Sequence, residues 1–155
     1  MTQAEDLSYV LREVKEGTLA TVRADGWPQA TIVSFVTDGA SVWFDCHKGS
    51  QKASNLARDD RVSMTVMVPY LPWGDIRAFS LAGHARLLSA PEEIEAVLRR
   101  WLLRFPHMDK VVVANGADFL FYELRPEQIE PMDYLKGLGH GKNPRGERRA
   151  DPNVV

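Results

Sequence analysis

Residues 18–46 read TLATVRADGWPQATIVSFVTDGASVWFDC, and this stretch decides the fold. It contains three segments rich in β-branched and aromatic residues, at 18–23, 30–36 and 41–46. Two Asp-Gly pairs, Asp25-Gly26 and Asp38-Gly39, separate these segments. Asp-Gly between apolar segments is a strong hairpin signal, because glycine readily adopts the positive φ of a tight turn. The stretch therefore predicts three antiparallel strands in a meander.

Helices are predicted where apolar residues recur at helical spacing, at 6–16, 50–58 and 89–104. Gly17 is the predicted stop of the first helix, and Ser89 is a possible N-cap of the third, which continues with proline and acidic residues. Further strands are predicted at 61–68, 76–88 and 117–124, and residues 106–115 fit either helix or strand. Gly83, inside a predicted strand, indicates a bend or a bulge.

The order of these elements favours a mainly β fold. Consecutive strands with few helices between them are typical of an antiparallel barrel rather than of a doubly wound parallel sheet. We expect one domain over residues 1–140, with a few flanking helices. The tail, 141–155, is rich in Gly, Pro, Asn and Arg and is predicted to be disordered.

Charge and composition narrow the classes of function. The chain has 155 residues with 19 basic and 21 acidic side chains, so the net charge of -2 gives no general attraction to nucleic acid. Cys46 is the only cysteine, which excludes an internal disulfide and agrees with a reducing compartment. No secretory signal is visible, and no apolar stretch approaches the ~18 residues of a membrane span. A cytoplasmic protein without a membrane partner is expected.

The segment at 47–56, HKGSQKASNL, carries the clearest chemical signal. Ser50 is a good N-cap, which leaves Lys52 in the first turn of a helix, where the helix dipole disfavours a positive charge. A bound anion would resolve this conflict, and phosphate can accept hydrogen bonds from Ser50, from Lys52 and from the free amides. The alternative is that Lys52 is solvated and that Gly-Ser is an ordinary link between a strand and a helix.

The order of several short motifs resembles the pyridoxamine 5'-phosphate oxidase-like family. The motifs are RADGWP at 23–28, the apolar strand at 30–36, VWF at 42–44, GSQK at 49–52, NL at 55–56, DRVS at 60–63, LAGHARL at 81–87 and FYELRP at 121–126. The resemblance covers roughly residues 17–131. It implies an FMN-binding split β-barrel that forms a homodimer, with two flavin sites at the dimer interface.

The resemblance also implies cofactor-binding residues. Lys52 matches the family lysine that contacts the FMN phosphate, and Ser50 lies in the same loop. Gln51 stands where an arginine often precedes that lysine. The strand whose backbone faces the flavin ring corresponds here to Ala30, Thr31, Ile32, Val33 and Ser34. Thr31 stands where the true oxidases usually place a phosphate-binding arginine, and the strand end beside the flavin corresponds to Asp45 and Cys46.

The resemblance implies a flavin-dependent oxidoreductase acting on a small molecule. The C-terminal substrate-gripping motif of the vitamin B6 oxidases has no counterpart here, so we do not expect true pyridoxamine 5'-phosphate oxidase activity. The uncharged residues Thr31 and Gln51 leave room for an alternative, a non-catalytic module that carries flavin, deazaflavin or haem. His140 is a candidate for the haem case, and the aromatic loop at 70–74 could cover a flavin or contact a partner subunit. No metal site is predicted, and no catalytic residue is assigned.

Overall fold

The computed structural model describes residues 2–69, 77–108 and 118–132. The expectations for the aromatic loop at 70–74, for His140 and for the tail at 141–155 lie outside these residues. The elements, in chain order, are α1 (Gln3–Glu13), β1 (Glu16–Val22), β2 (Pro28–Thr37), β3 (Val42–His47), α2 (Gln51–Arg58), β4 (Arg61–Met67), β5 (Ala78–Leu87), α3 (Pro91–Arg104), a 3-10 turn (Pro106–Met108), β6 (Phe119–Leu124) and β7 (Gln128–Met132).

Six antiparallel strands close into a barrel. The strands are hydrogen-bonded in the order β4-β1-β2-β3-β6-β5, and β5 pairs with β4 to complete the ring. The first half of β5 also pairs with β7, whereas Ala85 to Leu87 pair with β6, so β7 is a seventh strand outside the ring. The mainly β fold class with flanking helices is therefore confirmed, and it has the form of a split barrel.

The two predicted hairpins are confirmed. Gly26 and Gly39 have φ values of 84° and 96°, the left-handed region that favours glycine in a tight turn. The first turn closes with a hydrogen bond from the Arg23 N–H to the Trp27 carbonyl, at 2.9 Å. The β1–β2 register runs without interruption from Glu16 opposite Ser34 to Val22 opposite Pro28.

Three local predictions need correction. The first helix begins earlier than predicted, because Thr2 and Glu5 form a capping box at its N-terminus. The helix ends at Glu13. Gly17 is not its stop but a residue of β1, where a Cβ would lie 2.9 Å from the Thr65 carbonyl. The N-cap of α3 is Ala90 rather than Ser89.

The C-terminal strands also differ from the prediction. The register of β5 with β4 continues through Gly83 without a bulge; the glycine instead makes room for the Arg125 carbonyl, 2.8 Å from the position of a Cβ. The strand β7 follows Pro126 and was not predicted. It contains Pro131, which lacks an N–H and is tolerated in a strand at the edge of a sheet.

Two apolar clusters lie on opposite sides of the sheet. The larger one fills the barrel and includes Phe44, which is fully buried and stacks on Tyr122 with the ring centroids 5.5 Å apart. The smaller one lies outside the barrel, where Trp101 and other residues of α3 cover Val36 of β2. The same strands therefore bury side chains on both faces.

A buried amide holds α2 against the β1–β2 hairpin. The Asn55 side chain is 1% exposed. Its Nδ2 donates to Thr21 Oγ1 at 2.9 Å and to Gln29 Oε1 at 3.0 Å, and its Oδ1 accepts from Gln51 Nε2 at 2.9 Å. These hydrogen bonds satisfy both ends of the amide, so the position of the first turn of α2 depends on them.

A second polar contact joins α3 to the end of α1. The Arg104 guanidinium donates to the carbonyls of Leu11 at 3.1 Å and Arg12 at 3.2 Å, and also to the carbonyl of Val14. It therefore satisfies carbonyls that the end of a helix leaves without partners. Because the segment after α1 enters β1, this contact sets the distance between β1 and the end of α3.

We predict that Phe44→Ala lowers the free energy of unfolding by about 3–5 kcal/mol, because it removes a buried aromatic ring and leaves a cavity. Urea denaturation measures the change. Trp27→Ala is the control: Trp27 is 72% exposed, so its loss should cost less than about 0.5 kcal/mol. Equal costs for the two variants would contradict the assignment of the barrel core.

We predict that Asn55→Ala lowers the free energy of unfolding by about 2–3 kcal/mol, because Thr21 and Gln29 lose a hydrogen-bond donor in a buried place. Ser54→Ala on the exposed side of the same helix is the control, with an expected change of less than about 0.5 kcal/mol. If urea denaturation gives the same free energy of unfolding for Asn55→Ala and wild type, α2 does not depend on this amide.

Candidate functional site

A cleft of about 490 Å³ opens on the outer face of the barrel beside β2. Its size lies within the range of small-molecule sites in proteins. Its lining comes from five separate parts of the chain: Lys15 and Glu16 at the start of β1, Ile32, Val33 and Ser34 of β2, Asp45 of β3, Lys52 of α2, and Trp101, Phe105 and His107 at the end of α3 and just after it.

The strand β2 supplies the floor of the cleft. Side chains alternate between the two faces of a strand. Val33 reaches the barrel core, whereas Ile32 is 72% exposed on the outer face. The structure thus places Ile32, Val33 and Ser34, three of the residues that the resemblance assigns to cofactor binding, in the lining of the cleft. Thr31 is not part of the lining, and its Oγ1 is buried without a hydrogen-bond partner among the described residues.

Neighbouring residues at the end of β3 face different surroundings. Asp45 is half-buried and lines the cleft, whereas Cys46 is 4% exposed and packs in the barrel core. Burial raises the pKa of the Asp45 carboxyl, and the nearby Lys52 ammonium only partly opposes this effect. Burial likewise raises the pKa of the Cys46 thiol. Of this predicted pair, only the side chain of Asp45 reaches the cleft.

The helix α2 contributes one residue, Lys52, to the lining of the cleft, whereas Ser50 and Gln51 are not part of it. Ser50 is the N-cap, as predicted, and its Oγ accepts a hydrogen bond from the Ala53 N–H at 3.2 Å. Lys52 is half-buried in the first turn, which contains no acidic residue, and forms no ion pair with any described residue. Gln51 is exposed and directed to Asn55, so it does not line the cleft.

The far wall consists of residues that the sequence analysis did not assign to a site. Trp101 and Phe105 stack with centroids 5.0 Å apart, and His107 meets the Phe105 ring edge-on at 6.5 Å. The Lys15 ammonium lies 5.6 Å from the centroid of the same Phe105 ring. Trp101 also packs in the smaller apolar cluster, and no pattern in the sequence indicated that the end of α3 meets the start of β1.

The donor set of the cleft fits a planar ring that carries an anionic group. Ile32, Trp101 and Phe105 supply the apolar part of the lining, and Lys52 supplies a positive charge from the first turn of a helix. The indole Nε1–H of Trp101 is buried and has no hydrogen-bond partner in the described parts of the chain.

In the described parts of the chain, no three or more His, Cys, Asp or Glu side chains come together in a way that could hold a metal ion. No helix in these parts of the chain has the length and apolar character that a membrane span requires.

Comparison with known proteins identifies relatives of the chain. The family model described as pyridoxamine 5'-phosphate oxidase matches residues 4–133. No curated protein matches the chain. Among solved structures, a conserved hypothetical protein from Mycobacterium tuberculosis is similar at a TM-score of 0.74 and 26% identity, with 88% of this chain and 87% of that one covered.

Two more distant structures share the fold. The heme storage protein HutZ from Vibrio cholerae has a TM-score of 0.68 at 21% identity and covers 84% of this chain and 95% of its own. An FAD-binding protein from Mesorhizobium loti has a TM-score of 0.67 at 20% identity and covers 83% and 92%. Because the family model spans most of the sequence and the same split barrel recurs in these structures, the chain belongs to the pyridoxamine 5'-phosphate oxidase family.

Proposed function

We propose that the chain binds FMN in the cleft beside β2 and acts as an oxidoreductase on a small molecule. The observation that carries this proposal is the position of Lys52. Its positive charge lies in the first turn of α2, half-buried, without an ion pair among the described residues, and in the same cleft as the apolar residues of β2 and α3. A phosphate group would satisfy this lysine, and an isoalloxazine ring would cover the apolar wall.

Each part of the cleft has a distinct task in this proposal. Lys52 and the amides of the first turn of α2 would hold the phosphate. Asn55 keeps that turn in place through its bonds to Thr21 and Gln29. Trp101 and Phe105 would exclude water from one side of the ring. A bound flavin supplies the electron transfer itself, and the protein supplies binding and orientation.

We further propose that the active form is a homodimer with the flavin sites at the subunit interface. Ile32 is 72% exposed on the barrel surface, although it is a large aliphatic residue in a regular strand. It borders the cleft on one side and a second groove of about 340 Å³ on the other, lined also by Met67, Ala78 and Met132. Met67 is also a large hydrophobic residue that is exposed, and neighbouring exposed apolar side chains are typical of an interaction site.

A second candidate function is a non-catalytic module that carries flavin, deazaflavin or haem. It is favoured because neither Thr31 nor Gln51 supplies a charge that could hold a phosphate. The Thr31 side chain is turned away from the cleft, and the Gln51 side chain is hydrogen-bonded to Asn55. The fold itself accommodates such roles, as the heme storage protein HutZ shares it. In this case the cofactor would bind without supporting turnover.

The visible absorption spectrum of the purified protein tests the cofactor. Two flavin bands, with FMN released on heating, are the expected result. A sharp Soret band would support the haem carrier, and a featureless spectrum that does not change on adding FMN would contradict flavin binding. Mixing the flavin-loaded protein with NADH or NADPH and an electron acceptor separates the enzyme from the carrier, because only the enzyme turns over.

We predict that Lys52→Ala weakens FMN binding about 10- to 100-fold, because the phosphate loses a charge-assisted hydrogen bond worth about 1.5–3 kcal/mol. Titration of flavin fluorescence measures the affinity. Lys48→Ala is the matched control: Lys48 is an exposed lysine four residues upstream that does not line the cleft. An unchanged affinity of Lys52→Ala for FMN, or an equal loss of affinity in both variants, would contradict the proposed contact between Lys52 and the phosphate.

We predict that Ile32→Asp converts a dimer into a monomer and weakens FMN binding at the same time, because it places a charge in the proposed apolar interface. Light scattering after size exclusion measures the mass against 17.4 kDa for one chain. Leu103→Asp is the control, since Leu103 is 83% exposed on α3 and lines neither groove. A wild-type monomer that binds FMN tightly would contradict an interface site.

A further inference from the structure

The cleft that would hold a phosphate also contains an acidic side chain. Asp45 and Lys52 both line it, on β3 and α2 respectively. The two do not form a contact ion pair, and the Asp45 carboxylate accepts no hydrogen bond from another described residue. A half-buried carboxylate without such partners in a predicted anion site breaks the charge pattern expected there, so it calls for a role.

The remaining charges of the cleft do not outweigh this carboxylate. Across the cleft, Lys15 is adjacent to Glu16, and one charge offsets the other. His107 lies after α3 on the same side. Behind Asp45, the Cys46 thiol is buried and its pKa is raised, so it stays neutral. Apart from His107, the lining therefore carries two basic side chains, Lys15 and Lys52, and two acidic ones, Glu16 and Asp45.

We propose that Asp45 determines which ligand charge the cleft accepts: the ionised carboxylate weakens binding of a phosphate-bearing flavin, and its neutralisation strengthens binding. This inference rests on the proposed flavin function. Two groups of like charge in a partly desolvated site repel each other by an amount that depends on their separation and on the local dielectric. Binding of the phosphate is therefore coupled to uptake of a proton by Asp45.

The coupling has a definite direction with pH. Burial has already moved the pKa of Asp45 above its ordinary value of 3.8, and a neighbouring phosphate moves it in the same direction. Well above that pKa, the wild-type cleft carries the repulsive charge and binds FMN less tightly than a variant without the charge. As the pH falls through the pKa, the carboxyl becomes neutral and the difference disappears.

Flavin titration of the 155-residue chain tests this inference. We expect Asp45→Asn to bind FMN about tenfold more tightly than wild type near pH 8, corresponding to one unit of pKa coupling. Affinity for riboflavin, which has the same ring but no phosphate, should change much less than affinity for FMN. The ratio of variant to wild-type affinity for FMN should fall towards one as the pH is lowered through the pKa of Asp45. The phosphate of FMN also ionises, with a second pKa of about 6. Its ionisation affects both affinities equally and therefore cancels in the ratio.

Two further variants make the test specific. Asp45→Ala also removes the charge but leaves a smaller side chain than Asp45→Asn does. It should likewise tighten FMN binding. Glu95→Gln makes the same change in net charge on the exposed face of α3, where it should have no effect on either flavin. Thermal melting confirms that each variant is folded before it is titrated.

The outcomes separate this inference from the function on which it rests. If wild type binds FMN but Asp45→Asn and Asp45→Ala bind it no more tightly, Asp45 does not set the accepted charge and the inference is overturned. The same holds if Asp45→Asn tightens riboflavin as much as FMN, because the effect would then not depend on the phosphate. If no folded variant binds either flavin, the proposed function fails and takes the inference with it.

Discussion

The alternation of side chains along β2 and β3 is the constraint on which the rest of the structure depends. In a closed barrel one face of each strand is interior, so Val33, Phe44 and Cys46 are committed to the core. The opposite face of the same strands is also partly apolar and needs cover. The helix α3 covers Val36 with Trp101, but its cover stops short of Ile32. The cleft lies over the part of this outer face that α3 leaves uncovered.

Polar contacts then determine which groups border the uncovered face. The Asn55 amide holds the first turn of α2 against the β1–β2 hairpin and so positions Lys52. On the other side, the Arg104 guanidinium ties the end of α3 to the last turn of α1 and the segment after it, which brings Phe105 near Lys15. The site therefore lies between two elements that are each anchored by one buried or half-buried polar side chain. Stability and site geometry share these anchors.

The local parts of this arrangement could be predicted because their signals are local. Both Asp-Gly turns, the strands that flank them, and the N-cap at Ser50 depend on residues within a few positions of each other. Two other features were missed because distant partners decide them. Gly17 is a strand residue because β4 approaches it closely, and β7 forms despite Pro131 because β5 offers it a free edge.

The sequence alone was sufficient to specify an antiparallel barrel, the helix that carries Lys52, and membership of the pyridoxamine 5'-phosphate oxidase family by resemblance, because hairpin turns, caps and short motifs are encoded by neighbouring residues. Only the tertiary structure separated Asp45 from Cys46, turned Thr31 away from the cleft, and brought Trp101, Phe105 and His107 to its far wall. The reason is physical: which face of a strand is inside, and which distant segment covers the other face, is settled only when the barrel closes and the helices pack against it.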